Sequence, residues 1–185
     1  MMTGMDLATK AVILNAPAIA GGGADITSNL TAHLKFDDNA NDSSGNGNDF
    51  TAVASPAYAT GIKDNAIDLE RGSSQYVERA SFGPSGSFTI ACWLRPESTP
   101  GLFNRYHPWA RYDGSSGQAI YLQYGRTTGN PKLWFFVDYS TNDISIQHEI
   151  TLSTEDWSHV VCVCDDDGNS GELYLNGESI LSDAS

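Results

Sequence analysis

Positive charge is scarce in this chain: 10 Lys and Arg stand against 23 Asp and Glu, a net charge of −13. So acidic a surface repels phosphate backbones and anionic lipid, because neither counterion release nor polybasic attraction is available. Nucleic acid is therefore not an expected partner. Long apolar runs are missing too. No stretch approaches the roughly 20 residues of a membrane-spanning helix, and no basic amphipathic segment occurs, so membrane insertion is not expected. Cysteine is limited to Cys92, Cys162 and Cys164. The last two lie two apart in an alternating apolar run, side by side on one face, a poor geometry for a disulfide. A C-x-C pair alone also lacks two further ligands for a metal. Buried structural thiols are expected, with a Cys92–Cys162 bridge left open.

What is present points to β-structure. The 185 residues suit one domain, and 40% hydrophobic content with 18% charged residues supports a sizeable core. From Leu30 onward, short alternating runs recur between Gly, Asn, Asp, Pro and Ser clusters, without sustained helical periodicity. Strands are predicted over 32–36, 49–54, 65–70, 75–80, 87–95, 109–113, 118–124, 132–139, 143–151, 158–165, 172–175 and 178–181. In 87–95, Phe88, Ile90, Cys92 and Leu94 share one face. Asn176-Gly177 predicts a two-residue hairpin, since a type I′ turn needs two positive φ values. The expected fold is all-β, a two-layer antiparallel β-sandwich spanning 30–185. Residues 1–29 read as an N-terminal arm and Gly-rich hinge (Gly21-Gly22-Gly23). Asp6, Asn15 and Pro17 make this a poor secretion signal, and residues 1–20 are expected to leave the domain and lie on a scaffold or another copy of the chain.

The run Leu34-Lys35-Phe36-Asp37-Asp38 through Asp42-Ser43-Ser44-Gly45-Asn46-Gly47 resembles the opening of laminin-G-like, concanavalin A-like jelly-roll domains. The likeness continues through Gly61 to Leu69, Phe88-Thr89-Ile90-Ala91-Cys92-Trp93-Leu94-Arg95-Pro96, Trp157-Ser158-His159-Val160 and Leu173-Tyr174-Leu175-Asn176-Gly177. It covers about residues 30 to 181. Asp64 and Asn65 stand where such domains often have glycine. The resemblance also implies further strands after the Asn-Gly hairpin, closing on a G-x-I-D-E-V-like segment. This chain has none, so an open sheet edge is expected, belonging to a fragment or covered by another subunit's strand.

Enzymes occur on the resembled fold, where glucanases carry E-x-D-x-x-E on one strand. None of the seven glutamates begins that pattern, no G-x-S-x-G elbow occurs, and no catalytic residue is assigned. The loop 37–49 offers Asp37, Asp38, Asn41 and Asp42 to a structural Ca²⁺, as some resembled domains do; the alternative is that these residues build tight turns with their own backbone. No other cofactor is implied. Sugar binding would need exposed rings flanked by polar groups. The candidates are Tyr106, Trp109 and Tyr112, with Arg111 and Asp113 beside them, Gly101 and Pro108 marking irregular backbone. Trp134 and Phe136 alternate with Leu133, Phe135 and Val137, and one of these sets must face the core.

The expected function is that of a non-catalytic interaction module. The first reading is a structural or decorating component of an assembly, such as a virus or phage particle surface, docked through its arm. The alternative is a carbohydrate-binding or adhesion module of a secreted or cell-surface protein. The corresponding location is a virion or the extracellular surface.

Overall fold

A computed structural model describes residues 7–14, 29–84, 86–112, 119–138, 143–167 and 169–184. Among the described residues the strands follow in order: β1 (Leu7–Leu14), β2 (Leu30–Leu34), β3 (Thr51–Val53), β4 (Ala57–Thr60), β5 (Asn65–Leu69), β6 (Tyr76–Glu78), β7 (Phe88–Pro96), β8 (Asn104–Tyr112), β9 (Ala119–Arg126), β10 (Lys132–Val137), β11 (Ile144–Glu149), β12 (Ser158–Asp165), β13 (Ser170–Leu175) and β14 (Glu178–Ala184). An eight-stranded sheet runs β14-β13-β12-β7-β1-β5-β4, with β2 also on β1; a four-stranded sheet runs β11-β10-β9-β8, and β3 pairs with β6. Every pairing is antiparallel.

The two larger sheets enclose one core. Phe88, Ile90, Cys92 and Leu94 of β7 are fully or almost fully buried, as are Leu133, Phe135 and Val137 of β10. Phe88 and Phe135 meet edge to face across the layers at 6.2 Å. The period-2 pattern predicts which residues share a face, and burial shows that Phe88, Ile90, Cys92 and Leu94 on β7 and Leu133, Phe135 and Val137 on β10 are the inward sets. The predicted hairpin also forms, with Asn176 and Gly177 at φ 52° and 86°.

The expected free arm is corrected by β1. Its whole length pairs with β7, while its other edge pairs with β5 over Leu7–Thr9 and with β2 over Ala11–Leu14. The segment therefore occupies the middle of the larger sheet. Backbone chemistry accounts for this: β7 carries an unpaired row of N–H and C=O groups unless a strand lies there, and Leu7–Leu14 supplies one. β4 was also not predicted. The predicted strand 109–113 begins earlier, at Asn104, and its last residue, Asp113, lies outside the described residues, as do Gln118, Tyr139 and the hinge glycines.

The three cysteines are buried and unbridged. Burial pushes the Cys92 thiol up to about 12 and raises that of Cys162 well above its usual value. A thiol that is neither ionised nor reachable does not react. The native protein is expected to resist an aromatic disulfide reagent, with all three cysteines labelled only after denaturation; rapid labelling of the native state would contradict this burial.

Candidate functional site

The outward face of the four-stranded sheet carries a cluster of rings. Tyr121 of β9 and Phe136 of β10 are register partners and stack at 5.1 Å with 28° between planes. Tyr112 of β8 stacks on the other side of Tyr121 at 6.3 Å and 26°. Trp134 meets Tyr121 edge-on at 5.3 Å, and its indole N–H donates to Ser145 Oγ at 3.1 Å. His107 stands edge-on to Tyr121 at 5.6 Å. Trp134 and Phe136 are thus the set that faces away from the core.

A bulge in β8 decides which of its rings join this face. Tyr106 pairs with Tyr124 and Trp109 with Leu122, so His107 and Pro108 together oppose Gln123 alone. Proline has no N–H for the ladder, and a two-against-one bulge accommodates it. The slip lets Tyr106 and Trp109, three residues apart, both point into the core, 4% and 2% exposed. This corrects the expectation that Pro108 would expose them: the backbone is irregular there, but the irregularity turns both rings inward. Tyr112, beyond the bulge, is 56% exposed.

Tyr112 and its neighbour Arg111 also line a groove of about 1010 Å³ between the end of β8 and the β3–β6 pair, shared with Asp49, Glu78, Arg79 and Phe82. The alternation that turns Tyr112 outward turns Arg111 toward the sandwich rim, where its stem crosses Gly83. A Cβ on Gly83 would lie only 2.2 Å from Arg111 Cδ, so the missing side chain is what leaves the stem its path. Arg79 Nη1 donates to the Asp49 carbonyl at 3.1 Å. Asp49 Oδ1 accepts the Asp42 N–H at 2.8 Å. Of the five residues predicted for sugar contact, the structure brings Arg111 and Tyr112 together, buries Tyr106 and Trp109, and leaves Asp113 undescribed.

The ring groups themselves are uncharged, with the exposed Arg105 guanidinium close enough to act on Tyr112, Tyr121 and His107. Burial raises the Tyr121 phenol to about 12, with Tyr112 adding to the effect, and burial also raises the Tyr112 phenol, opposed by Arg105. Burial lowers His107 below its ordinary value, and Arg105 lowers it further, while a hydrogen bond with Gln123 opposes them. At neutral pH the phenols are protonated and the imidazole uncharged.

Of the four residues named for Ca²⁺, Asp37, Asp38, Asn41 and Asp42, Asp42 has both carboxylate oxygens engaged by the loop and its neighbouring strand. Asp42 Oδ1 accepts the N–H groups of His33 and Ser44, each at 2.8 Å, and its Oδ2 accepts Ser44 Oγ at 2.7 Å and the Asn48 N–H at 2.9 Å. Asp38 Oδ1 is taken by the Asn65 side chain at 2.8 Å, and the Asn41 N–H donates to Asn39 Oδ1 at 2.9 Å. These bonds tie the loop to its own backbone and to β2 and β5. Among the described residues, the carboxylates whose oxygens lie within 4.8 Å of one another are those of Asp68, Glu70 and Glu97.

Residues 70–185 match the model of a family described as the concanavalin A-like lectin/glucanases superfamily. The chain belongs to that family. No curated protein and no solved structure matches it. In this concanavalin A-like domain the Trp-x-His motif has a packing role. His159 lies against Trp93, its register partner, with ring centroids 4.7 Å apart, and Arg95 lies over Trp157 at 5.1 Å. Both contacts cover the outer side of β7 and β12.

Two substitutions separate loop and core roles from binding. Burial pushes the Asp42 carboxyl up, but its bonds from His33, Ser44 and Asn48 outweigh this and hold it below its ordinary 3.8. A depressed folded value means stabilisation that is present above pH 3.8 and lost as pH falls through the folded value. Asp42→Asn is expected to cost on the order of 2 kcal/mol at neutral pH and to flatten the acid side of the stability profile, measured by urea unfolding from pH 7 to 2. Trp109→Ala is expected to cost about 3–5 kcal/mol through a core cavity, seen as a lowered melting temperature.

Proposed function

We propose that the domain is a non-catalytic carbohydrate-binding module whose ligand rests on Tyr112 and extends into the adjoining groove. The observation that carries this reading is the position of Tyr112. It is the most exposed ring of the stack, and it borders a groove holding guanidinium and carboxylate groups. Pyranose C–H faces pack on aromatic rings, and sugar hydroxyls need oriented donors and acceptors; both are adjacent here.

Catalysis has no support in the sequence, which lacks the E-x-D-x-x-E strand of glucanases on this fold. A decorating role on a virus or phage particle, with the protein on a virion or extracellular surface, is the second reading. It draws on residues 1–20 for docking, and β1 commits eight of those to pairing within the sheet, so it stands behind the glycan reading.

A glycan array probed with the full chain tests the proposal. Binding is expected, and Tyr112→Ala should weaken it roughly tenfold or more with an unchanged melting temperature. Undiminished binding by that variant would remove Tyr112 from the site.

A further inference from the structure

The fold gathers three like charges on the outer side of the larger sheet. Leu7 of β1 pairs with Leu69 on one edge and with Pro96 on the other, and Ala8 pairs with Asp68. Leu69 is buried, so alternation turns Asp68 and Glu70 away from the core. Glu97, the residue after Pro96, flanks the start of β1 from the opposite edge. One carboxylate oxygen from each of Asp68, Glu70 and Glu97 lies within 4.8 Å of the other two. Carboxylates this close repel one another. Arg71 and Arg95, their neighbours in sequence, both have partners outside the cluster: Arg71 Nη1 donates to Asn104 Oδ1 at 2.6 Å, and Arg95 lies over Trp157.

A second observation points to a ligand here. Asp68 Oδ1 is buried, and among the described residues it is the one buried side-chain oxygen or nitrogen without a hydrogen-bond partner. A buried anionic oxygen that lacks a donor is costly, and ionised carboxylates beside it have no proton to give. We infer that Asp68, Glu70 and Glu97 bind a calcium ion, which ties β5 to the end of β7 across β1. The donors are all oxygen, which selects a hard cation over zinc or copper. Their spacing suits one ion, because two oxygens bound at roughly 2.3–2.6 Å to the same calcium stand at most about 5.2 Å apart. Carboxylates also bind calcium through one oxygen or both, and calcium accepts irregular sets that magnesium does not. None of the three residues lines the groove beside Tyr112, so the inference stands apart from the carbohydrate reading.

The test is titration of the full chain with calcium chloride after EDTA treatment, read by calorimetry and by thermal melting at fixed ionic strength. Binding of one ion per chain is expected, and calcium at a hundred times its dissociation constant should raise the folded-to-unfolded ratio about a hundredfold. Glu97→Gln, at an exposed position, should weaken binding roughly tenfold or more, and Asp68→Asn should abolish it. In EDTA both variants should melt no lower than the parent, because each removes repulsion; carboxylates with a merely structural role would leave less stable variants. Asp42→Asn, in the loop 37–49, should keep the calcium response. Absence of binding heat, equal stabilisation by magnesium, or a calcium response that survives in both Asp68→Asn and Glu97→Gln would overturn the inference.

Discussion

Backbone pairing at the middle of the larger sheet is the constraint on which the rest depends. β7 is nine residues long, buries most of its side chains, and has β12 on one edge. Its other edge is paired by β1 alone, and β1 is also what links β7 to β5 and β2. Without that strand, the sheet order separates into β14-β13-β12-β7 and β5-β4, with two internal edges unpaired. Each unpaired buried amide or carbonyl costs about 1–3 kcal/mol, so a strand in this place is worth more than its side chains suggest. The first strand in sequence is thus a central strand in space.

A second constraint, local to β8, organises the surface. A bulge accommodates Pro108, and the bulge sets the parity of every residue after it. Trp109 goes into the core, Arg111 toward the rim and Tyr112 onto the outer face. The ring stack and the groove meet at Tyr112 because of this one-residue slip, combined with the cross-strand pairing of Tyr121 and Phe136.

Much of the fold was legible in the sequence because period-2 alternation and turn chemistry are local signals. The residue sets that share a face on β7 and β10 and the Asn176-Gly177 turn follow from residues within a few positions of each other, while which set turns inward is decided by the opposing sheet. The place of Leu7–Leu14 did not, since nothing in that segment states which edge it will cover; that information sits in β7, far along the chain. The candidate site was half legible for a related reason. Tyr112 and Arg111 were identifiable as polar-flanked ring and cation, but Gly101 and Pro108 were taken to expose Tyr106 and Trp109, whereas the bulge at Pro108 turns both inward. Tyr121 and Trp134 could have been found from parity, since each sits between residues of an apolar set. Glu78, Arg79 and Gly83 carried no such signal: they reach the groove only through the pairing of β3 with β6.

The stacked rings have a consequence for how any ligand is met. Tyr121 is sandwiched between Tyr112 and Phe136, so both of its flat sides are occupied and its rotamer is held by its neighbours. Folding has already immobilised these side chains, and association then forgoes an ordering cost of about 0.5–1.5 kcal/mol for each one that would otherwise be frozen on contact. The surface behaves as a stiff pad whose one open end is a phenol ring.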